Sequence, residues 1–225
     1  MPIRAQLINE IEATLGSVIH PSLNTFSAAN DIYEAYLFTI IIQAARAEGA
    51  NISYKCINGG VSNPFIFRTS PGYINSKTKN YGYVVIEFSG HPALELHMGI
   101  RVAGQSNVLH ECDVCVIHQD EADICRNSNN QISPRSSKII IGVEAKFYTT
   151  GLSLHLGRAF LGLTRDFSAN ELFFVINRES HSNEKLLAFK KQKWEHKIIP
   201  SEQNCVNRLK HSFQTAFKNF KAKTR

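Results

Sequence analysis

Three charged residues lie inside two otherwise apolar segments of this chain: Asp113 in segment 110–117, and Glu144 and Lys146 in segment 139–148. Both segments are rich in β-branched residues, which predicts strands, and side chains two apart in a strand point to the same face. Glu144 and Lys146 therefore share a face. Because a buried charge is costly unless it is paired or binds a metal, the placement indicates a functional cluster. We expect the two strands to be neighbours and these three residues, the acid–lysine cluster, to converge.

Two carboxylates and an ammonium group together suit the hydrolysis of a phosphodiester bond. Asp113 and Glu144 can bind Mg²⁺ through oxygen, with Mn²⁺ as an alternative, and leave coordination positions for water and a phosphate oxygen. Such a cation polarises the phosphorus centre and helps to deprotonate water. Lys146 would orient that water or stabilise the transition state. A partly desolvated lysine flanked by a cation can also have a lowered pKa.

The order of these residues resembles the D…ExK motif of the PD-(D/E)xK nucleases. Asp113 is followed, after thirty intervening residues, by Glu144-Ala-Lys146. The order of predicted elements over about residues 31–176 (helix, three antiparallel strands, helix, strand) is also similar to that family's common core. Cys112 stands where the name-giving proline would be.

This resemblance implies a restriction-endonuclease-like α/β sandwich and a Mg²⁺-dependent deoxyribonuclease. Asp113 and Glu144 would be metal ligands and Lys146 the catalytic lysine. The family often adds an acidic ligand from the helix before the sheet, a place that Glu34 fits. A role in restriction or defence against foreign DNA follows from the resemblance alone, and repair and recombination stay open.

Other functions are compatible with the same residues. A non-catalytic nucleic-acid-binding or assembly module could keep this fold, although the complete acid–lysine cluster favours catalysis. A metal-dependent hydrolase of another phosphate ester is a third class. The sequence does not define the target sequence, DNA or RNA preference, or endonuclease or exonuclease action. A homodimer, or a partner protein that supplies specificity, also stays open.

Each site assignment has a structural alternative. The acid–lysine cluster could be a buried ion-pair network that sets the register of the sheet. Glu34 could be an acid favoured by the positive end of its helix dipole. Glu111 could be the metal ligand in place of Asp113. His110 is expected to be a core or supporting histidine rather than a general base.

Basic residues are concentrated at the C-terminal end of the chain. Segment 185–225 contains eleven Lys or Arg and two Glu, so its net charge is +9. Because the whole chain has a net charge of +6, residues 1–184 have a net charge near −3. Such a segment suits contact with a phosphate backbone, although a solvated lysine-rich helix face has the same composition. The residues predicted to contact nucleic acid are Arg158, Lys218, Lys221 and Lys223. For Arg158, an ordinary surface arginine is the alternative.

The acid–lysine cluster requires a sheet with helices packed on it. The patterns predict a cluster of antiparallel strands followed by strand–helix alternation, which is typical of an α/β sandwich with a mixed central sheet flanked by helices. We expect one domain over residues 1–225, with a basic C-terminal helix at about 201–222, capped by Ser201. Helices are also predicted at 4–16, from an N-terminal cap at Asn30 or Asp31 to 48, and at 153–167 and 183–193. Strands are predicted at 83–88, 94–102, 110–117, 138–148, 171–176 and 194–199. Segment 51–80 is predicted as a loop with short strand pieces, and 119–137 as a surface loop.

One predicted strand, 94–102, alternates clearly between apolar and polar residues. Leu94, Leu96, Met98, Ile100 and Val102 would lie on one face. Glu95, His97 and Arg101 would lie on the other, which is either an exposed sheet face or a wall that faces the substrate.

Composition places the chain among proteins with a packed core. An apolar content of 43% supports a core over 225 residues. No apolar run reaches the roughly 18 residues of a membrane span, and the N-terminus does not have the pattern of a secretion signal. Five scattered cysteines suit a reducing compartment, so the cytoplasm is expected.

Four residues could alternatively be read as a zinc set: Cys112, Cys115, His118 and Cys125. We disfavour this set because Cys112 and Cys115, three apart in a predicted strand, would point to opposite faces.

Overall fold

A computed structural model describes residues 2–16, 19–76 and 80–224 of the chain, so residues 77–79 of the predicted loop 51–80 lie outside the described residues. The described helices are α1 (Ile3–Leu15), α2 (Ala29–Ala47), α3 (Gln119–Asn127), α4 (Leu154–Asp166), α5 (His181–Phe189) and α6 (Gln203–Lys223). The strands are β1 (Asn51–Cys56), β2 (Gly82–Glu87), β3 (Leu94–Ala103), β4 (Leu109–His118), β5 (Ile139–Lys146), β6 (Glu171–Ile176) and β7 (Lys193–Glu195). None of the helices in these ranges is both long and apolar enough to cross a membrane.

The strands form one mixed sheet in the order β1-β2-β3-β4-β5-β6-β7. Strands β1 to β5 pair antiparallel, whereas β5, β6 and β7 pair parallel. Parallel neighbours need a crossover, and α4 and α5 supply the two crossovers between these three strands. The predicted α/β class with a mixed sheet flanked by helices is therefore confirmed.

Helices cover both faces of the sheet, as two adjacent residues of β6 show. Phe173 packs against Phe213 of α6, with ring centroids 5.1 Å apart. Phe174 points the other way and packs against Phe160 of α4 at 5.2 Å. Helices α1, α2 and α6 bury their apolar residues in the first of these cores, and α3, α4 and α5 cover the opposite face.

Helix α2 is the central element of the larger core. Most of its residues are buried, which agrees with an apolar surface that covers more than half of its circumference. Asn30 and Asp31 were predicted as its N-terminal cap, but the cap position is Ala28 and no side chain caps the helix. The Asn30 side chain instead accepts a hydrogen bond from the backbone N–H of Phe147, at 3.2 Å. This contact fixes the first turn of α2 against the end of β5.

Strand β3 reverses its faces in the middle, which contradicts the uniform alternation predicted for it. Gly99 has φ +60°, a left-handed conformation that few residues other than glycine adopt readily. Leu94, Leu96 and Met98 pack in the α2 core, whereas Ile100 and Val102 pack in the core on the opposite face.

The neighbouring strand β4 changes face in the same region. Cys112 therefore lies in the same core as Cys115. The prediction that Cys112 and Cys115 point to opposite faces is wrong, because β4 is not a regular strand between them.

The predicted loop 119–137 is also wrong in its first half, where α3 forms. This helix has only a narrow apolar side, with Ala122 and Cys125 buried, so its composition resembles that of a loop. Its buried Glu121 accepts hydrogen bonds from the backbone and guanidinium of Arg135. Tertiary packing therefore stabilises a helix that local sequence does not indicate.

Because α3 covers that face of the sheet, Glu95 and His97 are not exposed. Their side chains are 0% and 1% accessible. His97 Nε2 lies 2.8 Å from Glu95 Oε2, and the Arg126 guanidinium of α3 donates to the same oxygen at 2.6 Å. Only Arg101 of the three polar residues predicted for this face is exposed.

The C-terminal elements differ from prediction mainly in their bounds. The strand predicted at 194–199 is limited to Lys193–Glu195. Lys197, two residues further on, has φ +55°, which does not continue a strand. The final helix begins at Gln203, with Glu202 rather than Ser201 at the cap position.

Candidate functional site

The acid–lysine cluster lies where strands β4 and β5 stop pairing. The last backbone pair at this end of the ladder is Val114 with Val143. Beyond it, the Asp113 carboxylate accepts a hydrogen bond from the backbone N–H of Ala145, at 2.7 Å. The side chain therefore replaces the next strand-to-strand hydrogen bond, which holds Asp113 in one position while it is 6% exposed.

Lys146 connects the two carboxylates. Its Nζ lies 2.7 Å from Glu144 Oε1 and 3.4 Å from Asp113 Oδ2. The two carboxylates therefore share one ammonium group. The three side chains that the sequence predicted to converge are in contact in the structure.

Two more acids surround this cluster from the first turns of α2. Glu34 and Asp31 are three apart in the helix and so lie on one face of it. Glu34 is close enough to Asp113 for their charges to repel. From its sequence position, Asp31 is expected only to cap α2, although its i,i+3 spacing to Glu34 is the signal that could have placed it here.

Crowding of acids in a partly dry site shifts two pKa values upward. Burial, and then the charges of Asp113, Asp31 and Glu111, raise the pKa of Glu34 to about 9. Burial and the Glu144 charge raise the pKa of Asp113 to about 7, against the opposing effect of Lys146 and the Ala145 N–H. Glu34 is therefore protonated at neutral pH in the metal-free protein.

The pKa of Lys146 is shifted upward, whereas the pKa of a buried lysine without acidic partners would be shifted downward. Burial alone would lower its pKa, but the charges and hydrogen bonds of Asp113 and Glu144 outweigh burial and raise the pKa. A lowered pKa, suggested from sequence for a lysine beside a cation, is therefore not the state of the metal-free protein. Here Lys146 is an ammonium group that donates hydrogen bonds.

The chemistry of the cluster can be compared with what a divalent cation requires. Within the described ranges, no three or more His, Cys, Asp or Glu side chains are already placed to hold one metal ion. Mg²⁺, however, is often bound through one or two carboxylates and keeps several waters. Asp113 and Glu144 supply that donor type. The pKa values of Asp113 and Glu34 are raised first by burial and then by the charges of neighbouring acids, and a bound cation would offset that repulsion. The residues present therefore fit a hard cation.

Glu111 and His110, which lie near Asp113 on β4, do not take the position of Asp113 in the acid–lysine cluster. Glu111, the alternative to Asp113, is exposed at the rim, while Asp113 makes the contacts with β5. His110 contacts Asp166 Oδ2 at 2.7 Å, so it pairs with the end of α4. Asp113 is thus the acid of this strand that belongs to the cluster.

The basic C-terminal helix meets α2 at the end away from Glu34. Lys221 Nζ lies 3.2 Å and Lys218 Nζ 3.5 Å from the Glu48 carboxylate. Glu48 follows Glu34 by fourteen positions and lies directly after the helix, a distance of about 21 Å along the helix axis. Lys218 and Lys221 are thus partnered and remote from the acid–lysine cluster. Lys223 is exposed.

Arg158 lies on α4, the helix that follows β5. Its side chain is exposed, and it has no ion pair within residues 2–16, 19–76 and 80–224. It is therefore free to meet a ligand, but it is not in contact with the acid–lysine cluster.

Comparisons with known proteins did not identify a family for this chain. No protein-family model, no curated protein and no solved structure matched it.

Proposed function

We propose that this chain is a metal-dependent nuclease of the PD-(D/E)xK kind, with a restriction-endonuclease-like fold, that hydrolyses DNA phosphodiester bonds. One observation carries the proposal. A buried aspartate at the point where two strands separate shares a lysine ammonium with a glutamate from the neighbouring strand. The order of these residues along the chain also resembles the motif of that family.

The acids of the site would hold the cation. Asp113 and Glu144 are the proposed ligands of Mg²⁺, or of Mn²⁺, and Glu34 would join them. When bound, the cation polarises the phosphate and lowers the pKa of a water molecule. Because Glu34 carries a proton at neutral pH without metal, cation binding would release that proton, and affinity would rise with pH.

Lys146 and the backbone position the reacting groups. The charged Nζ of Lys146 would donate a hydrogen bond to the attacking water or to a phosphate oxygen, where it offsets developing negative charge. The Ala145 N–H fixes the Asp113 carboxylate, so this ligand would not need to be ordered when substrate arrives. Precise placement of charge, rather than an uncharged basic lysine, is the contribution we assign to Lys146.

The partner that we propose is DNA, with RNA left open. The basic residues Lys223 and Arg158 are exposed and can contact phosphates. A cytoplasmic role fits the five free cysteines among the described residues. Defence against foreign DNA is the role that we favour, and a homodimer or partner protein would supply the second active site or the specificity.

A second function is favoured by one feature of the site. The Lys146 ammonium already satisfies both carboxylates, as it would in an ion-pair network with no metal. A non-catalytic nucleic-acid-binding or assembly module with a nuclease-like fold would show this arrangement.

Cleavage assays separate the two functions. The protein is incubated with plasmid and single-stranded DNA in Mg²⁺, Mn²⁺ or EDTA, alongside Glu144→Ala and Lys146→Ala. We expect cleavage in either metal, none in EDTA, and a loss of at least about a hundredfold in both variants. Glu12→Ala on α1 and Lys55→Ala on β1 are matched controls and should cleave normally. DNA binding without cleavage under any condition would favour the non-catalytic module.

A further inference from the structure

A polar cavity lies beside β3, outside the acid–lysine cluster. Its volume is about 370 Å³, which lies in the range of small-molecule sites. Two arginines and several hydroxyl groups line it, and no acidic residue is among the described lining residues. Its charged and aromatic lining residues include Arg68, Tyr73, Tyr81 and Arg101. A cavity of this composition favours an anion.

Two glycines make room for the Arg68 side chain. The segment before β2 pairs with β3, since Gly72 donates to the Gly99 carbonyl at 3.0 Å and accepts from Arg101 N–H at 2.9 Å. A Cβ at Gly72 would overlap the Arg68 guanidinium, and one at Gly99 would lie 3.3 Å from Arg68 Cδ. The close approach of backbone and guanidinium therefore depends on glycine at position 72.

Arg68 is held in place without a carboxylate partner among the described residues. Its guanidinium lies 3.8 Å above the Tyr81 ring and donates to the Tyr73 carbonyl at 3.1 Å. Its Nε is buried and has no hydrogen-bond partner in the described part of the chain. Arg68 is half-buried, and a partly desolvated guanidinium group is stabilised by a counter-charge, so an anion would fit this site.

Arg101 adds a second cation at the open side of the cavity. It is exposed, and its guanidinium lies 5.3 Å from the Tyr73 ring centroid. Two guanidinium groups with adjacent tyrosine rings suit a nucleotide, because arginine binds phosphate in a bidentate manner and bases stack on aromatic rings.

The cavity borders the acid–lysine cluster through one pair of residues. Arg101 and Glu111 are partners across β3 and β4. Glu111 is in turn close enough to Lys146 and Glu144 to interact with their charges. The anion-binding side of the cavity therefore lies next to the acids of the candidate active site.

We infer that this cavity binds one nucleotide of the substrate strand, beside the bond that the acid–lysine cluster would cleave, with Arg68 and Arg101 on its phosphate. The inference rests on the proposed function for the identity of the polymer. It adds a subsite that would position the strand, and it makes Arg68 and Arg101 binding residues rather than catalytic ones.

A binding experiment tests the subsite without any cleavage. A deoxynucleoside 5′-monophosphate and the matching deoxynucleoside are titrated into the full chain by calorimetry in EDTA, so that no metal can hold the phosphate. We expect the nucleotide to bind at least about tenfold more tightly than the nucleoside. Arg101→Gln, which alters an exposed side chain, should lower nucleotide affinity about tenfold or more, and Arg68→Lys should also lower it because the bidentate geometry is lost. Arg165→Gln on α4 is the matched control and should bind as wild type.

The result also separates this inference from the proposed function. If the nucleotide and the nucleoside bind equally weakly, and Arg101→Gln cleaves an oligonucleotide with unchanged KM, the subsite is overturned while the nuclease stands. If the nucleotide binds through Arg101 but DNA is never cleaved, the subsite stands and the nuclease is overturned. With both correct, Arg101→Gln raises KM for the oligonucleotide about tenfold and leaves kcat nearly unchanged.

Discussion

Replacing Glu34 by glutamine should stabilise the metal-free protein, and increasingly so as the pH rises. The neutral amide has nearly the same shape as the protonated carboxyl group that Glu34 carries in the folded state. Glutamine therefore keeps the packing of α2 but removes the cost of holding a proton at position 34, a cost that arises from burial and then from the charges of Asp113, Asp31 and Glu111.

The sign and size of the effect follow from linkage between protonation and folding. The pKa of Glu34 rises from 4.5 to about 9 on folding, so the unfolded chain releases a proton that the folded protein retains. Stability of the wild type is therefore lost as pH rises from 4.5 toward 9. At about 1.4 kcal/mol per pH unit, the penalty at pH 7 is up to about 3 kcal/mol, and below pH 4.5 it vanishes.

Urea denaturation in EDTA at pH 5, 7 and 9 measures this difference directly. The Glu34→Gln variant should gain little at pH 5, up to about 3 kcal/mol at pH 7, and more at pH 9. Added Mg²⁺ should stabilise the wild type more than the variant, because a ligand that binds only the folded state stabilises it. Glu12→Gln on α1, whose carboxylate has no ion pair in the described part of the chain, is the control and should show no such trend.

Two outcomes would refute the reasoning. A Glu34→Gln variant that is no more stable than wild type at pH 9 would show that the acids around Asp113 do not destabilise the fold. A gain that is the same at pH 5 and pH 9 would show that it arises from packing rather than from charge.

Three further predictions concern parts of the fold outside the cluster. Gly99→Ala should lower stability by about 1–2 kcal/mol in urea denaturation, because φ +60° is strained for residues with a Cβ. Burial lowers the pKa of His97 below 6.5, so its contribution to stability is complete above pH 6.5 and is lost as pH falls toward the folded pKa. The His97→Gln variant should therefore be less stable than wild type by about 1–2 kcal/mol at pH 7.5 and by less at pH 5.5, measured in the same way. Replacing Lys218, Lys221 and Lys223 together by glutamine should weaken binding to any DNA duplex and lower the slope of log affinity against log salt by about 1 to 3. The lower value is expected because the first two lysines already pair with a glutamate.

Each of these three predictions would be contradicted by a specific result. Wild-type stability in Gly99→Ala would mean that the face reversal of β3 does not need a left-handed glycine. A His97→Gln deficit that stays constant with pH would mean that this histidine contributes only packing. An unchanged salt slope in the triple lysine variant would remove the C-terminal helix from the DNA contact surface.

Local sequence was sufficient for most of the fold and for the contacts of the acid–lysine cluster. Alternating or continuous apolar runs identified β2 to β6 to within a few residues, and helical spacing identified α1, α2, α4 and α6. The two-residue spacing of Glu144 and Lys146 placed both on one face, and a charge among β-branched residues marked Asp113. These inferences succeed because strand and helix periods are properties of residues that are adjacent in the chain.

Tertiary structure alone decided which polar groups are buried and where the basic groups lie. Glu95 and His97 became buried because α3, a helix with little apolar surface, packs over them. The direction of α2 put Glu34 and Glu48 at opposite ends, and so separated the acids of the cluster from the C-terminal lysines.

The cavity at Arg68 likewise required the segment around Gly72 to meet β3 at Gly99, across a stretch of chain whose composition indicates only a loop. Periodicity states which side of an element is apolar, but the free energy of burying a charge depends on what packs against it. That second quantity is set by residues far away in the sequence, and for this protein it determines both the shifted pKa values and the two polar sites.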